Sequence, residues 1–183
     1  MYKKINGLIA APYTPIKIYV EIDLNKISLY AEKLIKDSLS GVFICGTTGE
    51  GMFLTNDERK KIAEEWVKYQ SEDFKIIVHV GTTSAVQSSD LANHAQKIGA
   101  FGTSSIGPIF LKPNDINDIV DFCKIIADSA PEIPFYYYHI PSVTGLNFLI
   151  DSNPPNIANC SYPSISSFIK SNFSNFNSSI VVS

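Results

Sequence analysis

Five short strand-like runs recur along the first 150 residues, four of them mostly apolar, and amphipathic segments separate them. The runs occupy residues 8–11, 41–45, 75–80, 103–106 and 135–138. Between them, apolar residues repeat at the spacings of three and four that are typical of helices. The repeat length of roughly 30 residues is the size of a βαβ unit. This alternation predicts an α/β fold in which helices cover a parallel sheet.

Two architectures are compatible with the alternation. A closed (β/α)8 barrel usually needs about 250 residues, with about 200 near the lower limit. The chain has 183 residues, so a doubly wound open sheet competes with a barrel of which only part is present. Capping residues mark three of the expected helix starts: Thr55 with Glu58, Ser84 with Gln87, and Asn114.

The repeat ends near residue 150, where the composition changes. Residues 151–183 number 33, of which 16 are Asn or Ser, and only Asp151 and Lys170 are charged. Pro154 and Pro155 interrupt any helix that would continue the repeat. The chain therefore divides into residues 1–150, which carry the repeats, and a divergent, irregular tail at 151–183. A sixth strand near 168–173 is a candidate within that tail.

Composition argues against several classes of partner. The formal net charge of −3 predicts no broad attraction to nucleic acid or to an anionic membrane. No apolar run approaches the roughly 18 residues of a membrane span, and the amino terminus has no signal-peptide core. The three cysteines lack the spacing of a metal site, so we expect reduced thiols in a cytoplasmic protein without a bound metal.

Two segments at expected strand ends carry residues suited to chemistry. Tyr138 closes the fifth run, and a phenol there can relay a proton or donate to an oxyanion; the alternative is ordinary packing at the sheet rim. Residues 46–51 read Gly-Thr-Thr-Gly-Glu-Gly, so Thr47 and Thr48 lie in a glycine loop after the second run. Backbone amides and hydroxyls in such a loop can bind a carboxylate, although many glycine loops are only turns.

The remaining polar candidates have structural interpretations. Glu50 is expected to be a buried carboxylate that orients the loop. His79 is expected to be packed with its hydrogen bonds satisfied, His94 to be exposed or at a helix contact, and His139 to face away from Tyr138. No Gly-x-Gly-x-x-Gly follows the first run, so a nicotinamide cofactor is not expected.

Taken together, these motifs resemble the N-acetylneuraminate lyase and dihydrodipicolinate synthase superfamily of class I pyruvate aldolases. The similarity rests on Gly-Thr-Thr-Gly-Glu at 46–50 and Tyr-His-Ile-Pro at 138–141. Further matches lie at 55–59, 79–81, 99–100 and 108–113, so the resemblance covers residues 5–150 approximately. The run Tyr-Tyr-Tyr-His-Ile-Pro is most similar to animal-type N-acetylneuraminate lyases.

The resemblance implies a partial TIM (β/α)8 barrel of about five to six βα units. It also implies reversible cleavage of N-acetylneuraminate, a sialic acid, to N-acetylmannosamine and pyruvate through a lysine Schiff base. Tyr138 would relay a proton, and Gly46, Thr47 and Thr48 would bind the pyruvate carboxylate. No cofactor is implied, and family members are usually homotetramers.

The sequence departs from the family pattern at several positions. Val143 stands where synthases carry an arginine, and Phe110 stands where they carry a second relay tyrosine, which argues against the synthase reaction. The candidate Schiff-base residue is Lys170, whose Phe-Ile-Lys-Ser context differs from the family's; the alternative is an exposed tail lysine. The chain can therefore be an active aldolase, an aldolase for another 2-keto-3-deoxy acid, or a catalytically inactive, truncated barrel fragment.

Overall fold

In the computed structural model, residues 5–18 and 21–145 are described, apart from the side chains of Ile116, Pro141 and Ser142. These residues form one sheet of five parallel strands in the order β1-β2-β3-β4-β5. The strands are β1 Ile9–Ala10, β2 Gly41–Ile44, β3 Lys75–His79, β4 Gly102–Ser105 and β5 Phe135–Tyr137. The helices are α1 Asn25–Lys36, α2 Asn56–Val67, α3 Ala85–Lys97, α4 Ile116–Asp128 and the short α5 Pro141–Thr144.

The strand order distinguishes between the two expected architectures. Each strand pairs in parallel with the next strand along the chain, from β1 through β5. A doubly wound sheet would instead reverse its order at a switch point. The partial (β/α)8 barrel is therefore confirmed, and the doubly wound alternative is wrong.

Helices α1 to α4 pack against one another in sequence and cover one face of the sheet. Alternate strand residues point to opposite faces. Val42, Ile44, Ile76 and Val78 join the helix side chains in one core, in which Trp66 is 1% exposed. The intervening residues Phe43, Ile77 and His79 are also buried but lie on the opposite face. This second face is the one that the interior of a barrel would occupy.

The predicted capping box is confirmed at α2, only its Ser84 half forms at α3, and the predicted cap of α4 is wrong by one residue. Thr55 and Glu58 form a reciprocal capping box at the start of α2, and Ser84 caps α3 by accepting from the Gln87 amide. At α4 the cap is Asp115 rather than Asn114, because its carboxylate accepts from the amides of Asn117 and Asp118. A carboxylate is also favoured by the positive end of the helix dipole.

Candidate active site

The loop that follows β2 and the tyrosine that follows β5 lie at the same edge of the sheet. Parallel strands end on one side, so Gly46 and Tyr138 share the edge where α/β proteins bind ligands. Tyr138 extends the pairing one residue past β5, because its amide donates to the Ser105 carbonyl at 2.9 Å. The strand ends thus place the two predicted motifs on a common surface.

The glycine loop folds back tightly over Cys45. Cys45 has a φ of +55°, which turns the chain sharply as β2 ends. A Cβ at Gly51 would lie 1.9 Å from the Cys45 carbonyl oxygen, so only glycine fits without a shift of the backbone. The Gly51 amide donates to the Gly46 carbonyl at 3.2 Å, and the Gly49 carbonyl accepts from the buried Thr14 hydroxyl at 2.7 Å. These contacts hold the loop in one shape.

The two predicted threonines are accessible at the top of this loop. Thr47 is exposed and Thr48 is half-buried. Within the described part of the chain, neither hydroxyl takes part in a hydrogen bond. Both hydroxyls can therefore bind a ligand without breaking an internal contact. Glu50, by contrast, is exposed with a φ of +53°, so the expectation of a buried, orienting carboxylate is wrong.

A cluster of three rings connects the loop to Tyr138. The Phe43 ring centroid lies 5.0 Å from that of Tyr138 and 5.8 Å from that of His79, and His79 lies 6.2 Å from Tyr138. A Cβ at Gly46 would lie 2.4 Å from Phe43 Cε1, so the loop backbone rests directly on the same ring. Phe43 therefore brings Gly46 and the half-buried Tyr138 together.

His79 is a neutral, buried residue beneath Tyr138. It is 3% exposed, and burial lowers its pKa to about 3, with the charge of Arg59 acting in the same direction. Neither ring nitrogen has a hydrogen-bond partner among the described residues, and neither does the hydroxyl of Ser104, its register partner on β4. The expectation that His79 is packed is confirmed, but the expectation that its hydrogen bonds are satisfied is wrong.

The other two histidines lie where the sequence placed them. His94 Nε2 is 2.8 Å from Glu64 Oε1, in a contact between α3 and α2. The His139 ring centroid lies 6.0 Å from that of Tyr137 in a tilted contact, and Tyr137 packs against the helix-side core. His139 thus faces away from Tyr138, and neither histidine belongs to the ring cluster.

Arg59 is a site residue that the sequence analysis missed. It is 2% exposed and donates from Nη1 to the Gly81 carbonyl at 3.0 Å and from Nη2 to the His79 carbonyl at 2.6 Å. Burial raises the pKa of the neighbouring Cys45 thiol to about 11, and the charge of Arg59 opposes that rise. The signal was available, because Arg59 is the chain's single arginine.

The remaining predicted features lie away from the ring cluster or outside the described residues. Lys170 and the candidate strand at 168–173 lie outside the described residues. Phe110 is 83% exposed. Over residues 5–18 and 21–145, no cluster of His, Cys, Asp or Glu is suited to a metal ion. No helix in that part of the chain is long and apolar enough to cross a membrane.

Comparison with known proteins identifies one family and relatives that are named as lyases. The dihydrodipicolinate synthetase family matches residues 4–159. N-acetylneuraminate lyase A of Xenopus laevis is 45% identical over 150 residues, which make up 81% of this chain and 49% of that protein. N-acetylneuraminate lyase of Homo sapiens is 44% identical over 146 residues, or 79% of this chain and 46% of that protein.

Solved structures agree with these matches. N-acetylneuraminate lyase of Proteus mirabilis has a TM-score of 0.76 at 40% identity, and the match covers 80% of this chain and 49% of that one. Dihydrodipicolinate synthase from Aquifex aeolicus has a TM-score of 0.73 at 30% identity, with 79% and 48% covered. The chain spans about half the length of the relatives it matches. From the extent of the family match over residues 4–159, the chain belongs to the dihydrodipicolinate synthetase family.

Proposed function

We propose that this chain carries the keto-acid half of an N-acetylneuraminate lyase-type aldolase site. The reaction is reversible cleavage of N-acetylneuraminate to N-acetylmannosamine and pyruvate through a lysine Schiff base. The relatives at 44–45% identity are named N-acetylneuraminate lyases. The observation that carries the proposal is the contact of one ring, Phe43, with both Gly46 and Tyr138.

The loop after β2 binds the carboxylate of the keto acid in this proposal. The Gly46–Thr48 backbone can present amide groups, and the hydroxyls of Thr47 and Thr48 supply further donors. Support comes from the accessibility of both threonines and from the absence of competing hydrogen bonds among the described residues. The fixed loop conformation keeps these donors in place before the ligand arrives.

Tyr138 acts as the proton relay. The lysine amine adds to the keto carbon, water leaves, and the resulting iminium accepts the electron pair released when the bond between its α and β carbons breaks, which leaves an enamine. Protonation of the enamine carbon and addition of water then release pyruvate and restore the lysine amine. The proton of the sugar hydroxyl that becomes the aldehyde passes to the relay. A half-buried phenol held by Phe43 and His79 is suited to this step. We propose Lys170 as the amine.

Several wider properties remain part of the proposal. We propose that residues 168–173 form a sixth strand that carries Lys170 beside β5, and that residues 1–150 and 151–183 are the two divisions of the chain. Cytoplasmic location and homotetramer assembly follow from the family resemblance. Within the same family, a different 2-keto-3-deoxy acid is the competing substrate.

Release of pyruvate from N-acetylneuraminate tests the proposed activity. Tyr138→Phe should lower the rate by roughly 100-fold or more, because general acid–base groups contribute about 10² to 10⁴. Tyr137→Phe is the matched control, since Tyr137 packs toward the helices. Equal rates for the two variants would contradict the role of Tyr138. Release of pyruvate from another 2-keto-3-deoxy acid, and not from N-acetylneuraminate, would change the substrate.

A further inference from the structure

Arg59 is a buried cation that donates to backbone carbonyls but has no oppositely charged partner among the described residues. Its side chain is 2% exposed, and it donates to two backbone carbonyls, those of His79 and Gly81. Over residues 5–18 and 21–145, no carboxylate lies within ion-pair distance of its guanidinium. The Nε atom is also buried without a partner in that part of the chain.

An unpaired buried charge is costly, because the protein interior solvates an ion far less well than water does. The two carbonyls need donors, but a neutral side chain such as glutamine could supply one of them. The hydrogen bonds therefore explain a donor at this position and do not explain a cation. A cation at this depth is stabilised when an anion binds nearby.

Arg59 lies directly behind the glycine loop. Its Nη2 donates to the His79 carbonyl at 2.6 Å, and the His79 ring lies 6.2 Å from the Tyr138 ring. Its charge also acts on Cys45, the residue immediately before Gly46. His79 stays neutral, so it neither adds to the charge of Arg59 nor cancels it. Thr47 and Thr48 follow Cys45 by two and three residues, so we expect the guanidinium to contribute a positive field at the loop.

We propose that Arg59 is the specificity-determining residue that makes this site select a 2-oxo carboxylate over a neutral 2-oxo compound. It acts through space, by its charge, on a ligand whose carboxylate is held by the loop. The inference rests on the proposed function for the position of the keto acid. A purely structural Arg59 would support the loop equally for charged and neutral ligands.

Pyruvate and its neutral analogue pyruvamide provide the test. Dissociation constants for both are measured on the full chain by NMR titration, for the wild type and for Arg59→Gln, Arg59→Lys and Lys61→Gln. Arg59→Gln should weaken pyruvate binding about tenfold and change pyruvamide binding by no more than about twofold. Arg59→Lys keeps the charge and should keep the preference for pyruvate. Lys61→Gln removes an exposed charge from the same helix and should change neither ligand.

Several results would overturn the inference. These are an equal loss of both ligands in Arg59→Gln, a folded Arg59→Lys that loses the preference, and a wild type that does not prefer pyruvate. If circular dichroism shows that Arg59→Gln does not fold, the test rests on the preference for pyruvate over pyruvamide in Arg59→Lys and in the wild type at about 1 M salt. A buried charge is poorly screened, so the wild-type preference should persist there, and its collapse would count against Arg59.

The same samples separate this inference from the proposed function. Borohydride reduction traps a Schiff base as a covalent adduct. Selective pyruvate binding without an adduct would refute the aldolase mechanism and leave the role of Arg59 intact. An adduct without a preference for pyruvate would support the aldolase mechanism and refute the role of Arg59.

Discussion

The ring of Phe43 lies edge-on to the ring of Tyr138, with 5.0 Å between centroids and 69° between planes. The same Phe43 ring supports the backbone of Gly46. One apolar side chain at the end of β2 thus positions both the loop proposed to bind the carboxylate and the phenol proposed to move the proton. The arrangement makes the site dependent on core packing as well as on its polar residues.

Replacement of Phe43 should therefore destabilise the protein. Phe43→Ala removes a side chain that is 7% exposed, and such changes lower the free energy of unfolding by about 3–5 kcal/mol. Urea denaturation measures the loss. Phe53→Ala is the control, because Phe53 is 90% exposed and its replacement should change stability by no more than about 0.5 kcal/mol. Similar losses in both variants would show that Phe43 is not packed as described.

Gly51→Ala should lower the free energy of unfolding more than Gly99→Ala does, although both replace a glycine by alanine. Gly99 has a φ of +82° and open space around its Cβ position, so its variant carries only backbone strain, about 1–2 kcal/mol. At Gly51 the new methyl would meet the Cys45 carbonyl oxygen at 1.9 Å, so the loop must move. Urea denaturation should rank Gly51→Ala as less stable. The reverse ranking would contradict the loop conformation.

The buried His79 should make stability depend on pH. Its folded pKa is lowered from 6.5 to about 3, so the unfolded chain binds a proton between these values and the folded chain does not. The contribution is fully present above pH 6.5 and is lost as the pH falls, by up to about 1.4 kcal/mol per pH unit. Unfolding free energies at pH 7 and pH 5 measure it. His79→Leu should show a smaller drop than the wild type, and an unchanged drop would argue against a buried, neutral histidine.

Loss of the capping box at α2 should destabilise the protein less than the Phe43→Ala change. Thr55 Oγ1 accepts from the Glu58 amide, and Glu58 Oε2 accepts from the Thr55 amide at 2.8 Å. Thr55→Ala should lower the free energy of unfolding by about 1 kcal/mol. Ser84→Ala loses one longer cap bond of 3.4 Å and should be milder when both variants are compared by thermal unfolding. A larger loss for Ser84→Ala would contradict this ranking.

Periodicity predicted the elements well because each βα unit buries its own apolar stripe. The five strand runs and four long helices all occur, and no strand bound differs from the predicted run by more than one residue. The choice between Asn114 and Asp115 at α4 was not predictable from residue type, since both are good caps. It depends on which side chain reaches two amides, and Asp115 does.

Predictions about buried polar groups were less successful, because they depend on contacts between distant segments. Glu50 was expected to be buried, but the left-handed turn at that residue directs it to solvent. His79 was expected to have hydrogen-bond partners, and its neighbours Phe43 and Tyr138 are rings instead. Arg59 lies one residue after the Thr55–Glu58 capping box, and no pattern in the sequence marked it as buried. Its burial appears only when α2 packs over the end of β3.

The proposed function depends most directly on a Schiff base between pyruvate and Lys170. Intact mass and peptide mapping after incubation with pyruvate and borohydride measure this directly, with Lys170→Met as the control and a full-length relative treated in parallel. We expect a reduced pyruvyl adduct that maps to Lys170 and disappears in the variant. An unmodified chain beside a labelled relative would contradict it and would leave the family membership and fold unchanged.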